Sequence, residues 1–254
     1  MKTITSEDIN LDGIEVIFEI TRFCNMECPH CIRGDKQRIR IKKEYIDQVF
    51  SKIDYIGTLV LSGGEPALAT DLMGYVLHSM RRKRVGINNF WMATNGSIVT
   101  KRFFDLLYDF YEYADDNEIS GLRVSIDNYH DYIDGNNKWH FRDFEERIQC
   151  YLGINHFNIE FQGAPDNPRN LIMDGRAKDN YYSDREVSHE IYLAPEGYIE
   201  GSLYINAKGF INTSCDLSYE TMKDKDFVIC HVNDDIKYHL AEWFNAHPEH
   251  IYEN

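Results

Sequence analysis

The sequence lacks any run of about 18 apolar residues, so no membrane-spanning helix and no membrane partner are expected. Its first residues, MKTITSEDINLDG, lack the apolar stretch of a secretory signal. Positive charge is in short supply: 27 Lys and Arg stand against 42 Asp and Glu, a formal net charge of -15. Such a chain is repelled at long range by nucleic-acid backbones and anionic surfaces, so no nucleic-acid partner is expected. No internal repeat and no low-complexity tract interrupts the chain. These absences point to a cytoplasmic, reducing location, where clustered cysteines bind metal or do redox chemistry more often than they form disulfides. What the chain does have is 43% hydrophobic and 13% aromatic residues over 254 positions, enough to fill a core in one large domain or two small ones.

Short strand-like runs alternate with longer helical ones. IEVIFEI (14–20), GTLVLSGG (57–64), NFWMATNG (89–96), GLRVSIDN (121–128) and HFNIEFQG (156–163) read as strands. The segments 42–53, 71–80, 101–114 and 141–152 read as helices between them. Strand–helix alternation implies right-handed crossovers and a parallel sheet. Within the strands, polar residues alternate with apolar ones: Glu15 and Glu19 with Val16 and Phe18, Arg123 and Ser125 with Val124, Glu160 and Gln162 with Ile159 and Phe161. One face therefore meets helices while the other is polar, which favours a barrel with a polar chamber over a doubly wound sheet. The alternative is that these polar residues pair with one another across a closed core, as Arg123 would with a glutamate. After residue 165 the rhythm breaks: HEIYLAP (189–195) suggests a sixth strand, residues 197–215 a hairpin turning at NAKG, and 234–247 a capping helix. The division expected is an N-terminal segment 1–13, a barrel 14–195 and a capping extension 196–254.

Three of the six cysteines lie in FCNMECPHC (23–31). Close thiolates hold zinc or an iron–sulfur cluster. A structural zinc wants four ligands, and no second C-x-x-C pair exists to complete a zinc ribbon. His30 is next to Cys31, which makes joint ligation of one tetrahedral ion awkward. Three thiolates at Cys24, Cys28 and Cys31 suit a four-iron cluster with one iron left open. One β–α unit later, LSGGEP (61–66) ends the second strand; ATNG (93–96) closes the third and VSID (124–127) the fourth. Taken together, CNMECPHC with its C-x3-C-x2-C spacing, GGEP, TNG and VSID resemble the radical S-adenosylmethionine (radical SAM) superfamily over about residues 14–165.

That resemblance implies an α/β fold, a partial (β/α)6 radical SAM barrel with a small C-terminal hairpin-plus-helix extension. It implies a [4Fe-4S] cluster on Cys24, Cys28 and Cys31, with S-adenosyl-L-methionine (SAM) chelating the open iron. His30 takes the place of a residue near the adenine; Gly63, Gly64, Glu65 and Pro66 form the motif that meets the methionine amino group; Asn95, Ser125 and Asp127 lie on segments that approach SAM. One electron, from a donor such as flavodoxin or ferredoxin, then cleaves SAM to a 5′-deoxyadenosyl radical that abstracts hydrogen from substrate. GFINTSCDLSYE (209–220) resembles the start of the SPASM/twitch extension of peptide-modifying relatives, but only Cys150, Cys215 and Cys230 remain outside the loop. Cys150 is expected to be a buried, inert thiol on a barrel helix. Cys215 is the candidate catalytic thiol that returns a hydrogen atom; the alternatives for it and Cys230 are a second cluster, with His231 beside Cys230, or simple packing of the hairpin region. Arg176, in a GRA segment, is a candidate to close over the site. RRKR (81–84) is read as a cluster that complements the dipole of the helix it ends, on the face away from the chemistry. The substrate expected is a peptide or protein. The alternatives are a small molecule such as a nucleotide or 7-deazaguanine precursor, or a non-catalytic zinc-binding interaction module.

Overall fold

The computed structural model describes residues 3–98, 100–125, 146, 148–151, 153, 157–163 and 170–252. Five parallel strands carry the fold: β1 (Glu15–Thr21), β2 (Tyr55–Gly63), β3 (Gly86–Thr94), β4 (Gly121–Ser125) and β5 (Asn158–Gln162). They lie in the order 5-4-3-2-1, joined on their convex side by α1 (Lys43–Val49), α2 (Thr70–Lys83) and α3 (Lys101–Tyr111). Residues 148–151 are helical between β4 and β5. The alternating pattern thus yields the expected parallel α/β sheet, an open partial barrel.

The C-terminal part continues this sheet on the opposite edge. Strand β7 (Ile199–Ile205) pairs parallel with β1, in the register Glu15 to Ser202 and Phe18 to Ile205. It turns at Asn206–Gly209 into β8 (Phe210–Asn212), which pairs with β9 (Val228–His231). Gly209 holds φ +86°, a left-handed conformation that makes NAKG the turn its sequence suggests. The strand read at 189–195 forms as β6 (Ile191–Leu193) and pairs antiparallel with β7. Between β5 and β6 lies the short helix α4 (Gly175–Asn180); α5 (Ile236–Ala246) closes the chain's end.

Two apolar clusters divide the sheet. On the convex face Val16, Phe18, Ile20, Leu59, Leu61 and Ile87 pack with Val76, Met80, Phe103 and Leu107 of the helices. Each such side chain contributes on the order of 1.5–3 kcal/mol by burial, so this layer holds the barrel together. On the other face Ile17, Val60, Trp91 and Tyr204 meet Leu217, Tyr219 and Met222 from the segment after β8. The sequence suggested a polar chamber along the whole concave face. Part of that space is instead filled by the chain's own C-terminal segment, which a reading of isolated strands has no means to place there. Arg123 does pair with Glu160 across β4 and β5, at 3.3 Å, and lies over the Trp91 ring.

A buried ion pair anchors the upper end of β1. Glu19 and Arg22 are 0% and 1% exposed, with Arg22 Nε donating to Glu19 Oε2 at 3.0 Å. The same oxygen accepts the N–H of Ala207, in the β7–β8 turn, at 2.7 Å. Arg22 also lies over the Tyr219 ring, 4.4 Å from its centroid. The pair thereby joins β1, the cysteine loop and both parts of the C-terminal extension. Removing one partner of a buried pair leaves the other charge without compensation. Arg22→Met is therefore expected to cost about 3–5 kcal/mol, read as a lowered urea midpoint with an unchanged slope.

Candidate functional site

The cysteine loop leaves β1 at a bulge. Glu19 pairs with Ser62 of β2, but Thr21 pairs with Gly63, so one residue of β1 is extra. Bulges re-aim the chain at strand ends. Here the consequence is close contact between FCNMECPHC and SGGEP. Gly64 N–H donates to Thr21 C=O at 2.7 Å, and Glu65 N–H to Phe23 C=O at 2.9 Å. A Cβ on Gly63, whose φ is +143°, would stand 2.2 Å from the Thr21 carbonyl oxygen; one on Gly64 would stand 2.4 Å from that of Phe23. No other residue type fits this approach.

One cavity of about 520 Å³ gathers most of the residues the sequence singled out: Cys24, Cys28, Cys31, His30, Gly63, Gly64, Asn95 and Ser125 all line it. Glu65 and Pro66 are buried and do not. Both Glu65 oxygens are occupied, Oε1 by Ala67 N–H at 2.9 Å and the Thr94 hydroxyl at 2.8 Å, Oε2 by Asn95 N–H at 2.7 Å. Burial raises this carboxyl's pKa and the three donors work against the rise. Glu65 thus braces the ends of β2 and β3 and sets the backbone that faces the cavity. Asp127 lies outside the described residues.

Cys24 shows how the loop tunes its thiols. Met26 N–H donates to its sulfur at 3.4 Å and Asn95 Nδ2 at 3.7 Å. Burial raises its pKa, and the charges of Glu65 and Cys31 add to that rise against the Met26 bond. A cation beside the sulfur reverses that balance, since a coordinating thiol is deprotonated outright. Among the described residues, Cys24, Cys28 and Cys31 do not form a set whose ligand atoms all lie within 4.8 Å of one another. One zinc ion with Zn–S bonds of about 2.3 Å needs sulfurs about 4 Å apart. The donor set is three thiols spread around an opening, which fits a multi-iron cluster better than a single ion.

Several residues were missed. Arg33, Thr94, Gln162, Arg185 and Asp216 also line the cavity. Arg33 donates to Leu217 C=O at 2.7 Å and lies over the Tyr204 ring. Burial opposes its charge, yet Tyr204, Glu19, Cys215 and Tyr219 together raise its pKa above the ordinary guanidinium value. The signal for Arg33 was its position two residues past Cys31; for Asp216 there was none, because only tertiary folding brings it back to the loop.

Cys215 is not on the cavity wall, although its neighbour Asp216 is. Its sulfur is 3.8 Å from Glu190 Oε2 and 3.8 Å from Asp216 Oδ1. Burial, then the Asp216 charge, pushes this thiol up to about 12. Arg176 also departs from expectation: it pairs with Asp35 at 2.9 Å, while its backbone N–H caps Cys31 C=O at 2.9 Å. It supports the loop from outside and does not line the cavity. Cys150, expected to be buried, is exposed. Its helix turns that side to solvent, which the sequence pattern of RIQCYL did not distinguish.

Comparison with known proteins places this geometry. The Radical SAM superfamily model matches residues 18–152. The chain belongs to the radical SAM superfamily. Its cofactors are accordingly a [4Fe-4S] cluster and SAM, and the cavity has the thiols and the glycine-lined wall that such groups require. No curated protein matches the sequence. Among solved structures, one described as native anSMEcpe with bound AdoMet and Cp18Cys peptide is similar at a TM-score of 0.58 and 12% identity, covering 92% of this chain and 81% of that one. Streptococcus suis SuiB bound to precursor peptide SuiA aligns at 0.36 and 13% identity, over 82% of this chain and 61% of that one. At these identities the likeness is one of fold. No helix among the described residues is long and apolar enough to cross a membrane.

The thiols differ in a way that can be measured. At pH 8.5, alkylation by iodoacetamide of the apoprotein should reach exposed Cys150 first, with Cys215 and Cys230 at least about tenfold slower, because burial pushes both of the latter up to about 12. Peptide mapping reads the order; comparable rates at Cys150 and Cys215 would contradict the burial of the latter.

Proposed function

We propose that this protein is a radical SAM enzyme that removes a hydrogen atom from a peptide or protein substrate, with Cys24, Cys28 and Cys31 as its cluster ligands. The observation that carries this is the convergence of those three thiols with Gly63 and Gly64 on one cavity. When bound, the cluster supplies the electron that cleaves SAM, and with it the power to remove hydrogen from an unactivated carbon. What the chain's own residues do is narrower. The three thiols hold the cluster at the mouth of the barrel. The Gly63–Gly64 backbone has no side chain to keep SAM at a distance, and Glu65 fixes that backbone from beneath. His30, Asn95 and Ser125 form polar walls for the nucleoside and amino-acid parts, and Asp127 follows Ser125 on the same segment.

Arg33 and Arg185 bring positive charge to the cavity lining and Asp216 negative charge, a set suited to a zwitterionic or amide-rich ligand. A peptide reading takes support from the fold neighbour solved with a bound peptide. Cys215, within 3.8 Å of two carboxylates and pushed up to about 12 by burial, has the S–H form that a hydrogen-atom donor needs, although Asp216 and not Cys215 lines the cavity. The electron donor is a flavodoxin- or ferredoxin-type carrier.

The test is anaerobic reconstitution with iron and sulfide, followed by SAM and dithionite. Wild type should gain the brown absorbance of a [4Fe-4S] centre and form 5′-deoxyadenosine. Cys24→Ala, Cys28→Ala and Cys31→Ala should each lose both, while Cys230→Ala should retain both. A colourless protein that carries zinc and no iron after anaerobic purification would overturn the enzyme reading in favour of a zinc module.

A further inference from the structure

The segment that follows the cysteine loop reverses the charge of the chain. Residues 33–43 carry six Lys or Arg and one Asp, in a protein whose net charge is -15. This strap folds back along the end of β1: Arg22 N–H donates to Ile39 C=O at 2.8 Å, Gln37 N–H to Arg22 C=O at 3.0 Å, and Ile41 N–H to Ile20 C=O at 3.1 Å. It is thereby held against the outer side of the loop. There a groove of about 260 Å³ is lined by Thr21, Phe23, Leu68, Arg38 and Arg40. Phe23 and Leu68 are 36% and 37% exposed, two of the larger apolar side chains left to solvent. Arg40 reaches Asp71, while Arg38 makes no ion pair among the described residues. An apolar centre with an arginine rim is the anatomy of a protein interface rather than of a small-molecule pocket.

Position decides what binds. Phe23 lines this groove and Cys24, the next residue, lines the cavity. The loop has one side toward solvent and the other toward the substrate chamber. A reductant that reached the cluster through the chamber would compete with substrate; one docked on the groove would not. Charge then limits the partner: an acidic protein is repelled by this chain as a whole and attracted at its basic stretches, of which this strap adjoins the cysteine loop while residues 81–84 lie at the far end of α2. We infer that the Phe23–Leu68–Arg38–Arg40 groove is the docking site for a small acidic electron-carrier protein with a flavin or iron–sulfur group. In the complex the carrier loses one electron and the cluster gains one; no bond forms or breaks. This inference rests on the cluster assignment to Cys24, Cys28 and Cys31.

Two reductants separate the two claims. Dithionite needs no docking surface; flavodoxin, reduced by its NADPH-dependent reductase, does. With the reconstituted protein, the Arg38→Glu/Arg40→Glu variant should form 5′-deoxyadenosine with dithionite within about twofold of wild type, yet lose at least about tenfold with flavodoxin at low salt, and titration calorimetry should show its binding of flavodoxin weakened by at least about tenfold. Leu68→Ser should show the same split more weakly. An Arg81→Glu/Arg84→Glu control, at the far end of α2, should change neither rate. The wild-type flavodoxin rate should fall steeply as ionic strength rises past about 0.15 M, where charge attraction is screened beyond about 8 Å. Equal flavodoxin-driven rates in wild type and Arg38→Glu/Arg40→Glu overturn the docking site and leave the cluster assignment intact. A variant that loses dithionite-driven turnover of a peptide substrate, with its cluster retained, shows that the groove binds that peptide and overturns the proposal in favour of a substrate-docking role. Wild type that forms no 5′-deoxyadenosine with dithionite overturns the underlying assignment instead.

Discussion

The buried Glu19–Arg22 pair is the constraint on which the site depends. It is the point at which β1 stops being a strand and becomes a ligand-bearing loop; Glu19 Oε2 and the Arg22 guanidinium are met from outside the barrel by the Ala207 N–H and the Tyr219 ring, while Glu19 Oε1 has no hydrogen-bond partner among the described residues. Burying two charges is costly, and only good geometry with further hydrogen bonds offsets that cost. One such bond here comes from Ala207, 188 residues away in sequence. Loop and extension are therefore tied together at this pair.

Other contacts repeat that logic. Tyr219 N–H donates to Arg33 C=O, Arg33 to Leu217 C=O, and Ser218 N–H to the Asp174 carboxylate beside α4, whose Arg176 N–H meets Cys31 C=O. Residues 215–222 thus occupy the lower part of the concave face and present Asp216 to the cavity above. The extension is both a plug and a wall. In a barrel open on one side, such a plug fills part of the concave face that water would otherwise occupy. It also explains the high pKa of Cys215, whose sulfur is held within this packed segment between two carboxylates.

The loop itself shows a division of labour between backbone and side chain. Gly63 and Gly64 are required because carbonyl oxygens of the neighbouring loop lie where any Cβ would be. Glu65, which belongs to the same motif, accepts three hydrogen bonds in a fully buried position. Its charge reaches the site only indirectly, through its effect on Cys24.

Much of this was legible in the chain. Hydrophobic alternation placed β1 to β5 within a few residues of their observed limits, because period-two patterning follows from which face of a strand is buried. The thiols at Cys24, Cys28 and Cys31 and the glycines at 63 and 64 were visible because their spacing is local chemistry, complete within a few residues. The contents of the concave face were not. Ile17, Val60 and Trp91 are covered by Leu217, Tyr219 and Met222, and β7 rather than a helix flanks β1, neither of which any local pattern encodes. The same holds for Arg176, drawn to Asp35, and for Asp216, brought to the cavity. What the amino-acid order determined by itself was the parallel sheet and the chemistry of its first loop. Which distant residues complete that loop was decided only by tertiary structure, because buried charges and unfilled apolar surface take their partners from wherever the folded chain supplies them.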